Sequence, residues 1–281
     1  MCEFCIKHGE GEKWYLQAKN YSDDLMSDLK RRKFIKEFFE HPEELEKNRK
    51  QLERLDQAPG FVQRAIRWRV TSTHKKMHFG QVVPIEDIAR IFDFVTSVVR
   101  VACICRYSST HSEHRYCYGI SMAPDGGQFY DVLRKIDAGY LTGPDPEGLE
   151  TLSKEEALAA FRQHEKEGLC HSVWTFVSPF IGGICNCDRS DCLAIRTTMT
   201  HSTPLMFRAE YVAQADWDQC NGCRACMLIC PFGAIGHSAA HMKATIDPKL
   251  CYGCGACRSM CKKNAIRLED RWAVPEAARL W

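Results

Sequence analysis

The feature that most constrains this chain is a cysteine pattern that occurs twice in its last third. A C-x2-C-x2-C-x3-C run followed by proline is repeated, without the proline, 31 residues later. The eight positions are Cys220, Cys223, Cys226, Cys230, Cys251, Cys254, Cys257 and Cys261. Three cysteines at this spacing wrap a loop around one face of a four-iron cube, and the fourth thiolate comes from elsewhere. The pattern therefore predicts two [4Fe–4S] clusters.

The fourth cysteine of each run is expected to cross over to the other cluster. One cluster is assigned Cys220, Cys223, Cys226 and Cys261. The other is assigned Cys251, Cys254, Cys257 and Cys230. The flanking residues repeat as well, which indicates duplication of one unit made of a short strand, a cluster loop and a short helix. A pair of four-cysteine zinc sites is the alternative, but zinc ligands are usually arranged as two C-x2-C pairs further apart.

Residues 211–270 resemble the bacterial two-cluster ferredoxins, because all eight ligand positions are present. One departure is Lys262, where that family usually has proline after the fourth cysteine. A lysine amine close to the sulfurs would raise the potential of that cluster. The resemblance implies a ferredoxin-like domain whose clusters move single electrons.

Nine of the 17 cysteines lie outside this module, since the module accounts for eight. Eight of the nine are enough for two more sites with four thiolates each. They are Cys2, Cys5, Cys103, Cys105, Cys117, Cys185, Cys187 and Cys192. Cys170, next to His171, is left over. We expect one or two further iron–sulfur clusters, or zinc, rather than buried free thiols.

The two C-x-C pairs are the most informative of these cysteines. In an extended segment, residues i and i+2 point to the same face, whereas in a helix they diverge by about 200°. Cys103 with Cys105, and Cys185 with Cys187, are therefore predicted to lie on extended segments and to present two thiolates each. Cys2-x2-Cys5 is a weaker signal: it forms half of a zinc knuckle or completes another site, with His8 as a candidate nitrogen ligand.

Residues 84–270 also resemble cysteine-rich proteins of anaerobic prokaryotes that end in a dicluster ferredoxin module. The shared motifs are, in order, Cys103-Ile104-Cys105-Arg106, Cys117, Gly168-Leu169-Cys170-His171 and Ile184-Cys185-Asn186-Cys187. The resemblance implies architecture more than activity. This chain departs from the denser cysteine cluster that often follows the last motif, because four other residues precede Cys192. Whether the site has the full number of ligands is therefore open.

The predicted fold class is α+β in two domains. Residues 1–210 form a mostly helical or irregular, cysteine-rich domain, and residues 211–281 form a ferredoxin-like dicluster domain with a pseudo-twofold repeat and a tail. Helical periodicity predicts two helices in residues 22–57, broken at His41-Pro42, and another from Pro84 to Val99. A capping box that starts at Ser153 predicts a further helix.

Composition narrows the class of protein. Hydrophobic residues make up 45% and charged residues 26%, as in ordinary globular domains. The sequence contains no run of about 18 apolar residues, so it predicts no membrane span. The sequence has 17 cysteines and no recognisable signal peptide, which favours metal ligands in a reducing cytoplasm over disulfides. So many cluster ligands suggest an anaerobe. Two dianionic clusters would change the formal charge of +2 to −2, and no basic patch argues for nucleic-acid binding.

Three hypotheses for function follow. The first is an electron-transfer protein that relays single electrons to or from a partner oxidoreductase, as part of a multi-subunit complex. The second is a redox enzyme in which an N-terminal cluster has an open iron for substrate, so enzyme status stays undecided. The third is a structural subunit whose N-terminal cysteines hold zinc.

Overall fold

The computed structural model describes residues 8–9, 12–142 and 149–281. Cys2 and Cys5, two of the predicted ligands, lie outside the described residues, as does the side chain of His8. The chain combines helices and strands with the C-terminal cluster loops, so the mixed fold class is confirmed. A short hairpin of β1 (His8–Gly9) and β2 (Glu12–Lys13) opens the described chain.

A seven-stranded sheet forms the centre of the N-terminal part, in the order β6-β4-β5-β8-β7-β3-β9. Its strands are β3 (Gly80–Val82), β4 (Ser97–Val101), β5 (Cys117–Ser121), β6 (Glu150–Leu152), β7 (Cys170–Thr175), β8 (Ile181–Cys187) and β9 (Met206–Phe207). Neighbouring strands are antiparallel, except for the parallel pair β3 and β9. The sequence did not predict this sheet, because its central strands are buried on both faces and lack an alternating apolar pattern.

Helices cover both faces of the sheet. They are α1 (Leu29–Glu40), α2 (Pro42–Leu55), α3 (Gly60–Met77), α4 (Ile85–Phe94), α5 (Ile104–Thr110), α6 (Gly127–Arg134), α7 (Gly139–Thr142), α8 (Lys154–Lys166) and α9 (Leu193–Met199). Among the described residues, no helix combines the length and the apolar character that crossing a membrane requires.

Successive side chains of the strands face opposite sides of the sheet, and this alternation separates two cores. Tyr118 and Ile184 belong to the core under α4 and α8. Val99, on β4, belongs to the core under α1 and α6. Cys117 and Cys185 face the same side as Val99. The cysteine-bearing face of the sheet is therefore the face against which α1 and α6 pack.

The predicted break at Pro42 is confirmed, because α1 ends at Glu40 and Pro42 is the first residue of α2. The helix predicted to run from Pro84 to Val99 ends earlier, at Phe94. Residues 97–101 form β4 instead, since their valines favour a strand.

The helix α3 has no counterpart in the sequence analysis. Every side chain of α3 is at least partly exposed, and Phe61 and Trp68 are 76% and 73% exposed. A helix without a buried face shows no clear apolar stripe, so its period was not visible in the sequence.

The capping box of α8 is present as predicted. Ser153 Oγ accepts from the Glu156 backbone N–H at 3.1 Å, and Glu156 Oε2 accepts from the Ser153 N–H at 2.9 Å. Ser153→Ala is expected to lower the free energy of unfolding by about 1 kcal/mol, because it removes the side-chain acceptor of the Glu156 N–H. Denaturant melts would show this loss, whereas Ser153→Thr keeps the acceptor and should melt like the parent. Equal melts for the alanine variant and the parent would contradict the prediction.

The C-terminal module repeats one strand–loop–helix unit, as expected. The first unit contains β10 (Tyr211–Ala215), α10 (Ala225–Ile229) and β11 (Ile235–Ser238). The second contains β12 (Lys243–Ile246), α11 (Ala256–Ser259) and β13 (Ile266–Asp270). β10 pairs with β13, and β11 pairs with β12. Each two-stranded sheet therefore pairs one strand of the first unit with one strand of the second.

The module is fixed to the N-terminal part by side chains of α11 and of the tail. Arg258 donates to both carboxylate oxygens of Glu86, on α4, at 2.7 and 2.8 Å. Trp281 stacks on Phe207, on β9, with ring centroids 4.4 Å apart. The second cluster loop consequently lies against α4 and α8.

Candidate metal centres

The two cluster loops of the module hold their first cysteines in equivalent ways. The Cys251 sulfur accepts from the Ala213 and Gly253 N–H groups at 3.3 and 3.4 Å. The Cys220 sulfur accepts from the Ala244 and Gly222 N–H groups at 3.4 and 3.5 Å. Each sulfur thus receives one donor from its own loop and one from the strand that precedes the other loop. Such N–H groups stabilise negative charge on a ligating sulfur.

The fourth cysteines are also equivalent. Cys230 Sγ accepts from the Ala234 N–H at 3.4 Å, and Cys261 Sγ accepts from the Ala265 N–H at 3.2 Å. In both units the donor lies four residues after the cysteine, because the unit is duplicated. Ala234 and Ala265, each followed by isoleucine, therefore donate a hydrogen bond to the fourth cysteine of each run.

The cysteines meet in the two groups that crossing would require. Burial raises the pKa of Cys226, and nearby Cys261, Cys223 and Cys220 raise it further. We call these four cysteines the outer site.

Burial likewise raises the pKa of Cys257, as do nearby Cys254, Cys251 and Cys230, and also Cys226 of the outer site. We call the first four of these cysteines the inner site. They line a space of about 330 Å³ that protein atoms leave empty. The ligand assignment itself stays a prediction.

The outer and inner sites differ in their exposure. Cys223 of the outer site is exposed, whereas Cys251, Cys254 and Cys257 of the inner site are buried. Lys262 is exposed, so solvent screens its charge and its expected effect on a cluster potential becomes small.

Six cysteines of the N-terminal part come together in one place. They come from β5, β8 and the N-terminal ends of α5 and α9, and they line a single cavity with about 690 Å³ of space empty of protein atoms. The six are Cys103, Cys105, Cys117, Cys185, Cys187 and Cys192. We call this space the cysteine cavity. Its remaining lining is apolar or aromatic, apart from a few polar side chains.

The backbone of one C-x-C pair matches its prediction and that of the other does not. Cys185 and Cys187 lie on β8 and face the same side, as predicted. Cys103 is extended, but Cys105 lies in the first turn of α5. The prediction of an extended pair is therefore wrong for Cys105. Both side chains still reach the cavity, because the helix begins between them.

Direct contacts link cysteines that are distant in the sequence. Cys117 pairs with Cys185 across β5 and β8, and its sulfur lies 3.2 Å from Cys103 Sγ. Cys187 is hydrogen-bonded to Cys192. The cavity thus gathers thiols from segments separated by up to 89 positions, the interval between Cys103 and Cys192.

A buried arginine places positive charge beside these thiols. Arg106 is 3% exposed, and its Nη1 donates to Cys103 Sγ at 3.2 Å. Its guanidinium also forms an ion pair with Asp188 and donates to the Asn186 carbonyl at 3.1 Å. The Tyr116 N–H adds a second donor to Cys103 Sγ at 3.1 Å. Sequence analysis had placed Arg106 in a motif but had not predicted its contact with sulfur.

Cys170 and His171 face opposite sides of β7. Cys170 packs with Cys187, Cys192 and Cys254. His171 lies on the other face, where Nδ1 donates to Asn186 Oδ1 at 2.6 Å. Burial lowers the pKa of His171 to about 4, so its ring is neutral at neutral pH. The sequence left Cys170 unassigned, because the strand pairing that brings it to other cysteines is long-range.

The geometry bears on the zinc alternative. Within the described part of the chain, no group of three or more His, Cys, Asp or Glu side chains stands close enough to hold a single metal ion. A four-iron cluster separates its thiolates more widely than one ion does, so this finding leaves clusters open. The donor set fits a cluster: six thiols line one cavity, and an N–H group and a guanidinium donate to Cys103 Sγ.

The Glu165 carboxyl, on α8 near Cys254 of the inner site, predicts how stability depends on pH. Burial raises the pKa of Glu165 to about 7 from its ordinary 4.5. The folded chain therefore keeps this proton while the unfolded chain loses it, and stability falls as pH rises from about 4.5 to about 7. Glu165→Gln should flatten this part of the stability profile in thermal melts. Glu155→Gln, exposed on the same helix, should not; identical profiles for both variants would contradict the assignment.

Comparison with known proteins supports the C-terminal module. A family model described as a 4Fe-4S dicluster domain matches residues 219–265, which include all eight cysteines of the outer and inner sites. No curated protein matches the chain. The C-terminal module is thus an iron–sulfur, ferredoxin-like module, which suggests electron transfer.

Proposed function

We propose that this protein is an iron–sulfur electron-transfer protein with clusters in the outer site, the inner site and the cysteine cavity. The crossed cysteine sets hold the two C-terminal [4Fe–4S] clusters. The cavity holds at least one more, with ligands drawn from its six cysteines. Bound clusters of this kind accept and donate single electrons. Protein residues enclose them, supply N–H and guanidinium donors to the sulfurs, and exclude water.

The observation that carries this proposal is the convergence of six cysteines on one cavity beside the dicluster module. Isolated buried thiols have no reason to gather from four separate elements. The cavity has six cysteines, two more than the four ligands that one cluster needs. We further propose that residues 1–210 and 211–281 are two domains that work as one redox unit in a reducing compartment.

The outer site is where we propose that electrons enter or leave the chain. Cys223 is exposed there, so a cluster at this site would lie within reach of a partner that carries its own one-electron centre. Three of the four inner-site cysteines, Cys251, Cys254 and Cys257, are buried. A redox protein is therefore the expected partner, rather than a nucleic acid.

The test is spin counting on the full chain, purified without oxygen and reduced with dithionite. The proposal expects more than two reduced iron–sulfur centres per chain by electron paramagnetic resonance (EPR). Two or fewer centres, with zinc bound elsewhere, would contradict it. Centres that dithionite and low-potential dyes cannot reduce would also contradict a role in electron transfer.

A redox enzyme is the second candidate, and the aromatic wall of the cavity favours it. His78, Trp174 and Phe176 line the cavity together with the cysteines. His78 Nδ1 donates to the Thr175 carbonyl at 2.6 Å, and burial lowers the pKa of His78 to about 3. The neutral ring thus keeps Nε2 as a proton acceptor. A small molecule that changes the EPR spectrum of one centre, and loses this effect in His78→Phe, would favour the enzyme.

A further inference from the structure

Cys170 lies at the junction between the cysteine cavity and the inner site. It opens β7 and pairs directly with Cys187 of β8. Its side chain is 1% exposed and packs in one core with Cys187, Cys192 and Cys254. Cys187 and Cys192 line the cavity, whereas Cys254 belongs to the inner site. One thiol therefore contacts the surroundings of both sites.

Packing of the module against the sheet closes the junction around the same residue. On the module side, Tyr252 stacks on Phe232 with centroids 4.0 Å apart and joins the same core. The Ala209 N–H donates to the Tyr252 carbonyl at 2.9 Å, which holds this loop against the sheet. The junction is thus filled by protein and closed to water.

The inner loop makes two side-chain contacts with the N-terminal part, and Ile229 of α10, on the outer loop, also lies beside Gly168. Ser259 Oγ donates to the Glu165 carbonyl at 3.2 Å, and Arg258 binds Glu86. Both donors belong to α11, which follows the inner loop. The outer loop carries the exposed Cys223 and the 89% exposed Leu228. The three sites are therefore ordered along the molecule.

We propose that Cys170 is a positioning residue that sets the contact between the inner site and the cysteine cavity, so that the sites form one row: outer, inner, cavity. This inference rests on the proposed function. In such a row, a single electron that leaves one site enters the next, and no atom or proton need move with it. The outer site then communicates with the cavity through the inner site.

The first test uses the unaltered full chain, with iron counted on the same sample. In the fully reduced protein, the EPR signal of the cavity centre is expected to be split or broadened by the inner centre. About 12 or more irons with isolated, additive signals would overturn the inference while leaving the proposed function intact. About 8 irons would overturn the proposed function, and this inference with it.

The second test uses variants of β7. Cys170→Ala opens a gap at the junction and is expected to slow reduction of the cavity centre several-fold after rapid photoreduction of the module. Cys170→Ser fills nearly the same volume and should stay near the parental rate. Val173→Ala is the matched control, because it lies on the same strand but on the opposite face. All three should keep the parental iron content.

Two outcomes of the variant test would overturn the inference. If Cys170→Ala loses iron from the cavity, Cys170 is a ligand and not a positioning residue. If Cys170→Ala and Val173→Ala transfer electrons at the same rate, the path between the sites does not use this contact.

Discussion

Cys187→Ser is expected to reduce the iron content to about 8 atoms per chain, the complement of the two C-terminal sites. Cys187 lines the cysteine cavity, is buried, and contacts Cys192 and Ser172. A serine hydroxyl binds iron more weakly than a thiolate. The change removes the cavity centre and leaves the outer and inner sites loaded. Iron, acid-labile sulfide and EPR spin counts on the anaerobic protein would measure the loss.

Cys170→Ser is the matched control for this loss. It changes a buried cysteine on the neighbouring strand, paired directly with Cys187, but one that lies outside the cavity lining. It should keep the parental iron and sulfide content. Equal iron content in Cys187→Ser and the parent would show that Cys187 is not a cluster ligand. Equal losses in both variants would point to general damage to the sheet.

Arg106 and Asp188 are expected to shift the potential of the cavity centre in opposite directions. Arg106→Gln removes a buried positive charge that touches Cys103 Sγ, so the added electron is stabilised less and the potential falls. Asp188→Asn removes the negative partner of Arg106, so the potential rises. Coulomb's law for charges about 7 Å apart, at an effective dielectric constant of about 20, gives about 2.4 kcal/mol, or on the order of 100 mV for one electron.

EPR-monitored redox titration of the full chain would measure both shifts. The outer site serves as the internal control, because both substitutions lie in the N-terminal part and its potential should stay constant. Arg106→Lys keeps the charge but loses the forked donor, so its shift should be smaller than that of Arg106→Gln. Shifts in the same direction for Arg106→Gln and Asp188→Asn would contradict the electrostatic account.

The parts that the sequence predicts well are those with local chemistry. The cluster loops are recognisable because thiolate spacing within one short run decides ligation. The helix break at Pro42 and the start of α8 at Ser153 are likewise set by single residues and their immediate neighbours. The extended pair Cys185-x-Cys187 follows from β-strand geometry.

The cysteine cavity and the sheet beneath it depend on long-range pairing. Cys117 meets Cys185, and Cys170 meets Cys187, through strand registers that no local pattern encodes. For the same reason, the sequence analysis assigned no role to Cys170. It also predicted an extended backbone at Cys105, which lies in a helix. In Cys103-x-Cys105, two residues of separation suggested a strand, but a helix that begins at Ile104 also brings both thiols to one place.

The central claim is that the N-terminal cysteines hold a cluster in addition to the two in the C-terminal module. Iron, acid-labile sulfide and zinc per chain, measured on anaerobically purified full-length protein, test it most directly. The account predicts about 12–16 irons with a matching amount of sulfide and no stoichiometric zinc. About 8 irons and 8 sulfides, accompanied by zinc, would contradict it and assign the N-terminal part a structural role.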